Sequence, residues 1–261
     1  MFVTRLFKNR KLIFDLACND LKSRFAAASL GVVWAYVQPL VSILVFWVVF
    51  EIGFRSPPVS GVPFIVWFAP GFFAWNFFSD AAISGTNCLL EYSYLVKKVN
   101  FDVSIIPTVK ILSSAFIHIG FILFIFVLRM LYGISINVYN IQVFYYFICA
   151  FVLLLGICLI FASISPFLKD MAYVVSVFIQ IGFWTVPIFW SADNLMPEIR
   201  HLLMINPMFY ICQGYRDAFI DNVWFWERRG ATLWFWIIAI VLLFYGISLF
   251  RKLRNQFVDV L

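Results

Sequence analysis

The strongest constraint on this chain is a series of six long apolar runs, at about 33–50, 63–83, 105–128, 143–167, 172–190 and 233–250. A helix that crosses a bilayer needs about 20 mainly apolar residues. In lipid, only helices and closed barrels satisfy every backbone N–H and C=O internally. Each run therefore predicts a transmembrane helix. What remains supports no soluble domain: 64% of the 261 residues are hydrophobic and 12% charged, with a mean hydropathy of +0.97. An ordinary soluble domain is about half apolar and about a quarter charged. Residues 1–261 read as a single all-α membrane domain. The start is no cleavable leader, because Asp15, Asp20 and Lys22 interrupt the stretch behind Arg5, Lys8, Arg10 and Lys11, where a signal peptide needs an apolar core.

An even number of crossings puts both termini on one side, and Lys and Arg select it. The amino-terminal segment, the connection holding Lys97 and Lys98, the turn at Lys169 and the tail with Arg251, Lys252 and Arg254 carry most of the 19 basic residues. Both termini are expected in the cytoplasm. The net charge of +6 reflects this asymmetry and describes no nucleic-acid surface.

Two segments are too short or too polar to cross. Within 12–31, Phe14, Ala17, Cys18, Leu21 and Phe25 form one helical stripe, and Asp15, Asn19, Asp20, Lys22 and Ser23 fill the other side. This pattern fits a helix lying in the cytoplasmic interface; a solvated helix packed on a partner fits it too. Within 194–221, short apolar runs are broken at Asn206-Pro207, where proline removes a donor and pushes the preceding residue out of the helical region. A dozen helical residues reach only about 18 Å. The segment predicts a helical hairpin dipping into the outer leaflet, or else a cap on the membrane surface. Glu198, Arg200, Arg216, Asp217 and Asp221 are expected at headgroup level or paired with one another. Pro187 is expected to kink the fifth span.

Missing chemistry narrows the function. No GxxxxGK[ST] stretch exists, so the chain holds no P-loop for ATP. The two His and five unpaired Cys suggest no metal site, no cofactor and no disulfide, and nothing suggests an enzyme acting by itself. Ion-driven transporters need ionisable groups deep in the membrane. Asp80 is expected near the inner interface, Lys110 and Arg129 are expected to snorkel at the ends of the third span, and His118 reads as hydrogen-bonded packing. Energy must then enter from a partner. Aromatic residues make up 21% of the chain; their flat faces suit the apolar C–H faces of sugars.

Three blocks carry a resemblance. They are DLKSRFAAASLGVVWAYVQPL at 20–40, GFFAWNFFSDAAISGTNCLLEYSYLVKKVNFDVSIIP at 71–107, and FLKDMAYVVSVFIQIGFWTVPIFW followed by MPEIRHLLMINPMFYICQGYRDAF. In order and over essentially the whole chain, they resemble the permease subunits of type 2 ABC exporters for O-antigen, teichoic acid and capsular polysaccharide, with the O-antigen permeases nearest. The specific elements are Arg24, Ser29-Leu30-Gly31, Trp34, Pro39, Trp75-Asn76, Leu95-Val96-Lys97-Lys98, Asp170, Pro187, Asn206-Pro207 and Arg216. One departure is Asp102, where the family often has Pro.

The resemblance implies a homodimer in the bacterial inner membrane, joined to two copies of a separate ABC ATPase that binds ATP and Mg. The cargo it implies is an undecaprenyl-linked polysaccharide. It implies a coupling helix at 91–100, for which Arg24, Glu91, Tyr92, Tyr94, Leu95, Lys97 and Lys98 are the candidate ATPase contacts. Trp34, Tyr36, Phe178, Trp184 and Trp190, on the first and fifth spans, are candidates to line the path. Pro187, Asn206, Pro207 and Arg216 are candidates for an external gate. Teichoic acid or capsule export are alternatives, then a drug exporter or a structural membrane anchor; the last predicts haem or quinone ligands that two His do not supply.

Overall fold

The computed structural model describes residues 2–98, 101–192 and 195–261. Val99 and Asn100, at the end of the expected coupling helix, and Asn194, at the start of the expected hairpin, lie outside the described residues. In chain order the helices are α1 (Phe2–Lys8), α2 (Arg10–Arg24), α3 (Trp34–Trp47) with a π-helical extension Val48–Gly53, α4 (Phe64–Glu91), α5 (Ser93–Val96) and α6 (Ile106–Leu131). They continue as α7 (Val143–Ile164), α8 (Met171–Thr185), α9 (Pro197–Leu203), α10 (Pro207–Arg216) with a π-helical extension Asp217–Asp221, α11 (Arg229–Leu253) and α12 (Phe257–Val260). Among the described residues the β contacts reduce to one isolated bridge between Val59 and Val62.

Among the described residues, four helical stretches are long and apolar enough to cross a membrane: Gly31–Gly53, Val103–Leu131, Val138–Ile164 and Arg229–Val260. They contain α3, α6, α7 and α11. At 28 residues, α4 is as long, about 42 Å, but Asn76, Ser79, Asp80 and Ser84 make it less apolar. Its position accounts for this. Every residue from Phe64 to Trp75 is buried, and the helix packs on α6, α7, α8 and α10. A helix sheathed by protein needs little lipid-facing surface.

The fifth apolar run differs most from expectation. Its helix has 15 residues, about 22 Å against a hydrocarbon thickness of about 30 Å. It stops at Thr185, because Val186 is extended, with φ −88° and ψ 143°. Proline disfavours the helical region for the residue before it, so Pro187 ends the helix where a kink was expected. The interfacial helix likewise ends at Arg24, earlier than 31.

The most extensive pairing is α7 with α11, and two glycines permit it. A Cβ at Gly156 would stand 2.8 Å from the Leu243 nitrogen, and one at Gly246 would stand 2.7 Å from the Gly156 carbonyl oxygen. Small residues at such a crossing let backbones approach where lipid supplies no hydrophobic drive. Coverage elsewhere is uneven. About half of the spans through α6 and α7 is buried, but 11% of that through α3 and 22% of that through α11. On α8 only Met171, Val175 and Gly182 are buried.

Candidate functional site

Charged residues meet at the end of the bundle where α2 packs against the end of α4 and the start of α6. Asp20, on α2, is 2% exposed. It accepts from Arg24 Nε at 2.9 Å, Tyr92 Oη at 2.9 Å and Lys110 Nζ at 2.6 Å. Lys110, on the first turns of α6, also donates to Glu91 at the end of α4. Arg24 reaches Asp80 on α4 at 3.1 Å, and Asp80 accepts from Ser114 of α6. The result is an unbroken chain, Glu91, Lys110, Asp20, Arg24, Asp80, Ser114, which locks α2 onto α4 and α6. Its centre is dry and its ends are wet: Asp20 and Lys110 side chains are 2% and 3% exposed, those of Asp80 and Glu91 44% and 50%. Burial alone would raise the Asp20 carboxyl, but the Arg24 charge and the Lys110 hydrogen bond outweigh it and hold the group below the usual carboxylate range. Lys110 was expected to snorkel; it is instead a buried ion-pair partner.

The coupling candidates divide around this chain. Arg24, Glu91 and Tyr92 belong to it. Leu95 is buried and anchors the turn from inside, so it offers no surface for docking. Tyr94, 59% exposed, and Lys97 and Lys98 stand outward.

Of the path candidates, Phe178 and Trp184 project from α8 at 65% and 64% exposure. Trp190 folds back, its indole donating to the Trp184 carbonyl at 3.4 Å. Trp34 is 44% exposed at the start of α3. Tyr36 turns the other way, its ring over Gly120 and 5.3 Å from Phe121 on α6.

At the opposite end of the bundle, Asn206 does more than break the hairpin. Its side chain accepts from the Met208 N–H at 3.0 Å, so it caps α10, with Pro207 at the first helical position. An Asn-Pro pair is a legible helix start. The two arms differ: α9 buries no residue, whereas α10 buries all but Pro207 and Gln213. Arg216, 1% exposed, pairs with no carboxylate among the described residues. It stacks 3.6 Å from the Trp67 ring centre and donates to the Trp67 and Ile188 carbonyls at 3.3 and 2.8 Å. Pro187 thus sits beside the carbonyl that Arg216 grips. Asp217, also buried, pairs with Arg228, and Gln213 donates to Asp217 and Asp221 at 3.2 Å. Arg216 and Asp217 are inside the bundle, and Asp217 pairs with Arg228 rather than with another of the hairpin's charges. Arg129 is buried as well, donating to the Ser135 carbonyl at 2.9 Å and lying over Phe219. His118 stacks 4.7 Å from Phe77, its Nε2 2.6 Å from Tyr215 Oη.

Nothing among these groups forms a nucleophile with its base, and the described residues hold no cluster of three metal-binding side chains. The profile of the ABC-2 type transporter family matches residues 12–220, most of the chain. The chain is similar to two O-antigen export system permease proteins RfbA of Klebsiella pneumoniae, 25% and 24% identical, with 97% of both chains covered in each case. It is 23% identical to the protein of the same name from Myxococcus xanthus, with 98% of both covered. The chain belongs to the ABC-2 type transporter family and is a multi-pass membrane protein.

Proposed function

From that membership we propose that the chain is the membrane subunit of an ATP-driven exporter of undecaprenyl-linked polysaccharide, the O-antigen of lipopolysaccharide. It moves the polymer from the cytoplasmic to the outer side of the bacterial inner membrane. One observation carries this reading: relatives similar along nearly their whole length are named O-antigen export permeases. The working unit is a homodimer with two copies of a separate ATPase, which binds the ATP and Mg. The crossings are α3, α4, α6, α7, α8 and α11, with both termini in the cytoplasm.

The uneven coverage supports a dimer. α3 and α8 are sparsely buried, and both carry aromatic rings on their open sides. Two copies facing each other through these helices enclose a wider passage than one bundle does. Tyr94, Lys97 and Lys98 form the lip that meets the ATPase. The charged chain from Glu91 to Asp80 joins that lip to α2, α4 and α6, so a push at α5 reaches several helices at once. At the outer end the exposed arm α9 closes the mouth, and α10 stays fixed.

Deletion of the gene, with complementation, tests the reading. Surface polysaccharide is expected to vanish while lipid-linked polymer accumulates inside the cell, and an ATPase variant that binds but does not hydrolyse ATP is expected to do the same. Normal surface polysaccharide in the deletion strain would overturn the reading.

A further inference from the structure

A cavity of about 370 Å³ opens between α3, α4 and α6, within the range of about 300–1,000 Å³ for ligand pockets. It reaches Asn76, near the middle of α4, and its lining is unusual for a chain so apolar. Gln38 and Asn76 present amides, Asp80 a half-exposed carboxylate, and Ser114 a hydroxyl; Trp34 and Phe121 supply aromatic walls. Among the described residues the Gln38 and Asn76 side-chain amides have no hydrogen-bond partner in the protein. Unmet amides and a carboxylate at this depth are costly against lipid. They fit a space that holds water or a polar ligand.

We propose that this cavity is a saccharide subsite, which takes a neutral pyranose unit of the cargo on its way through the subunit; the inference rests on the export reading above. The chemistry selects the ligand. Amides donate and accept and the carboxylate accepts, which matches the mixed donors and acceptors of sugar hydroxyls. The Trp34 indole offers a flat apolar face to the ring C–H groups. The same site disfavours the lipid diphosphate. Its charged lining residue is Asp80, and the cation beside it, Arg24, donates through Nε to Asp20 and through Nη1 to Asp80, although its buried Nη2 has no partner among the described residues. Across the connected chain, three carboxylates face two cations, Arg24 and Lys110, so the chain carries one excess negative charge, which favours a neutral ligand over an anion.

A benzophenone photocrosslinker in place of Gln38 tests the site in the full chain, expressed with its ATPase in cells that make the polymer. Two control positions are used. Leu123, 60% exposed on α6, lies outside the cavity; Phe178 stands on the open side of α8. Irradiation is expected to give a sugar-stained ladder from position 38 and none from position 123. Phospholipid adducts alone at 38, with sugar adducts at 178, would overturn the subsite and leave the export reading standing. No sugar adduct at either position would also overturn the subsite, and the deletion experiment then decides separately on export. In parallel, Asn76→Ala and Trp34→Ala are each expected to slow export roughly fivefold to tenfold, with normal assembly, and Trp34→Phe is expected to recover most of the loss. Full export in both alanine variants would overturn the proposal.

Discussion

The two ends of the bundle bury cations in opposite ways. At the end where α2 lies, Lys110 and Arg24 meet three carboxylates from two helices far apart in sequence, α2 and α4, and the pairs grade from dry to wet. At the end where α10 lies, Arg216 pairs with no acid among the described residues; two backbone carbonyls and an indole face hold it. A chain of ion pairs can exchange partners, because each carboxylate can pass from one cation to the next. An arginine wedged against main-chain carbonyls and an indole is held by groups that carry no net charge to exchange. The difference teaches where motion can be accommodated: the α2 end is a junction, and the anchor of α10 is a fixed post.

The largest effect is expected where a charge would be stranded. Lys110→Met leaves Asp20 in a dry site with less compensation, and breaking a buried pair typically costs about 3–5 kcal/mol. Thermal unfolding of the purified complex should show a marked drop. The double variant Lys110→Met with Asp20→Leu should be milder, since replacing both partners leaves no stranded charge. A single variant as stable as the parent would break the claim that the junction is held by this pair.

Arg216→Met removes a cation without stranding an anion. Two carbonyls lose a donor and an indole loses its stacked partner, an expected cost of about 1–3 kcal/mol. Arg216→Lys should recover little, because an ammonium lacks the flat fork that both stacks and donates. The same thermal measurement checks this. An Arg216 loss exceeding the Lys110 loss would reverse the comparison.

A third measurement asks whether the fixed post extends over the whole hairpin. Leu202, on α9, is 66% exposed, and the native Cys212, on α10, is fully buried and reduced. A membrane-impermeant maleimide should label Leu202→Cys readily and leave Cys212 untouched. During turnover the rate at 202 should change while Cys212 stays protected. Labelling of Cys212 during turnover would make α10 part of the moving gate.

Much of this was legible in sequence, and the failures have a common cause. The apolar runs locate α3, α4, α6, α7, α8 and α11 because hydropathy is a local property. The break at Asn206-Pro207 is legible because proline and a capping side chain act over a few residues. Partners for Lys110, Arg129 and Arg216 were not legible. Asp20 and Lys110 lie 90 positions apart, and no local pattern shows that one will neutralise the other. Snorkelling was the expectation for a cation near a helix end; buried pairing is what long-range packing permits. Leu95 failed for a related reason. On a four-residue helix, spacing does not tell which side faces the bundle.

The smallest effect on stability, and the sharpest on function, is expected at Tyr94. Its ring is exposed on the lip beside the junction, 6.0 Å from that of Tyr92, whose hydroxyl binds Asp20. Tyr94 itself makes no bond to the charged chain. Tyr94→Asp should therefore shift stability by no more than about 0.5 kcal/mol, as is usual for surface positions. If the lip docks on the ATPase, the same change places a carboxylate in an apolar contact and should reduce co-purification or polymer-stimulated ATP turnover severalfold. Leu95→Asp is not an equivalent test, because it buries a charge and would damage the fold for reasons unrelated to docking. Comparing Tyr94→Asp with Tyr94→Phe separates shape from polarity, since the Phe variant should couple normally. Stable protein with unchanged assembly and turnover in Tyr94→Asp would show that force enters the junction by another route, and the chain from Glu91 to Asp80 would then be only a structural clamp.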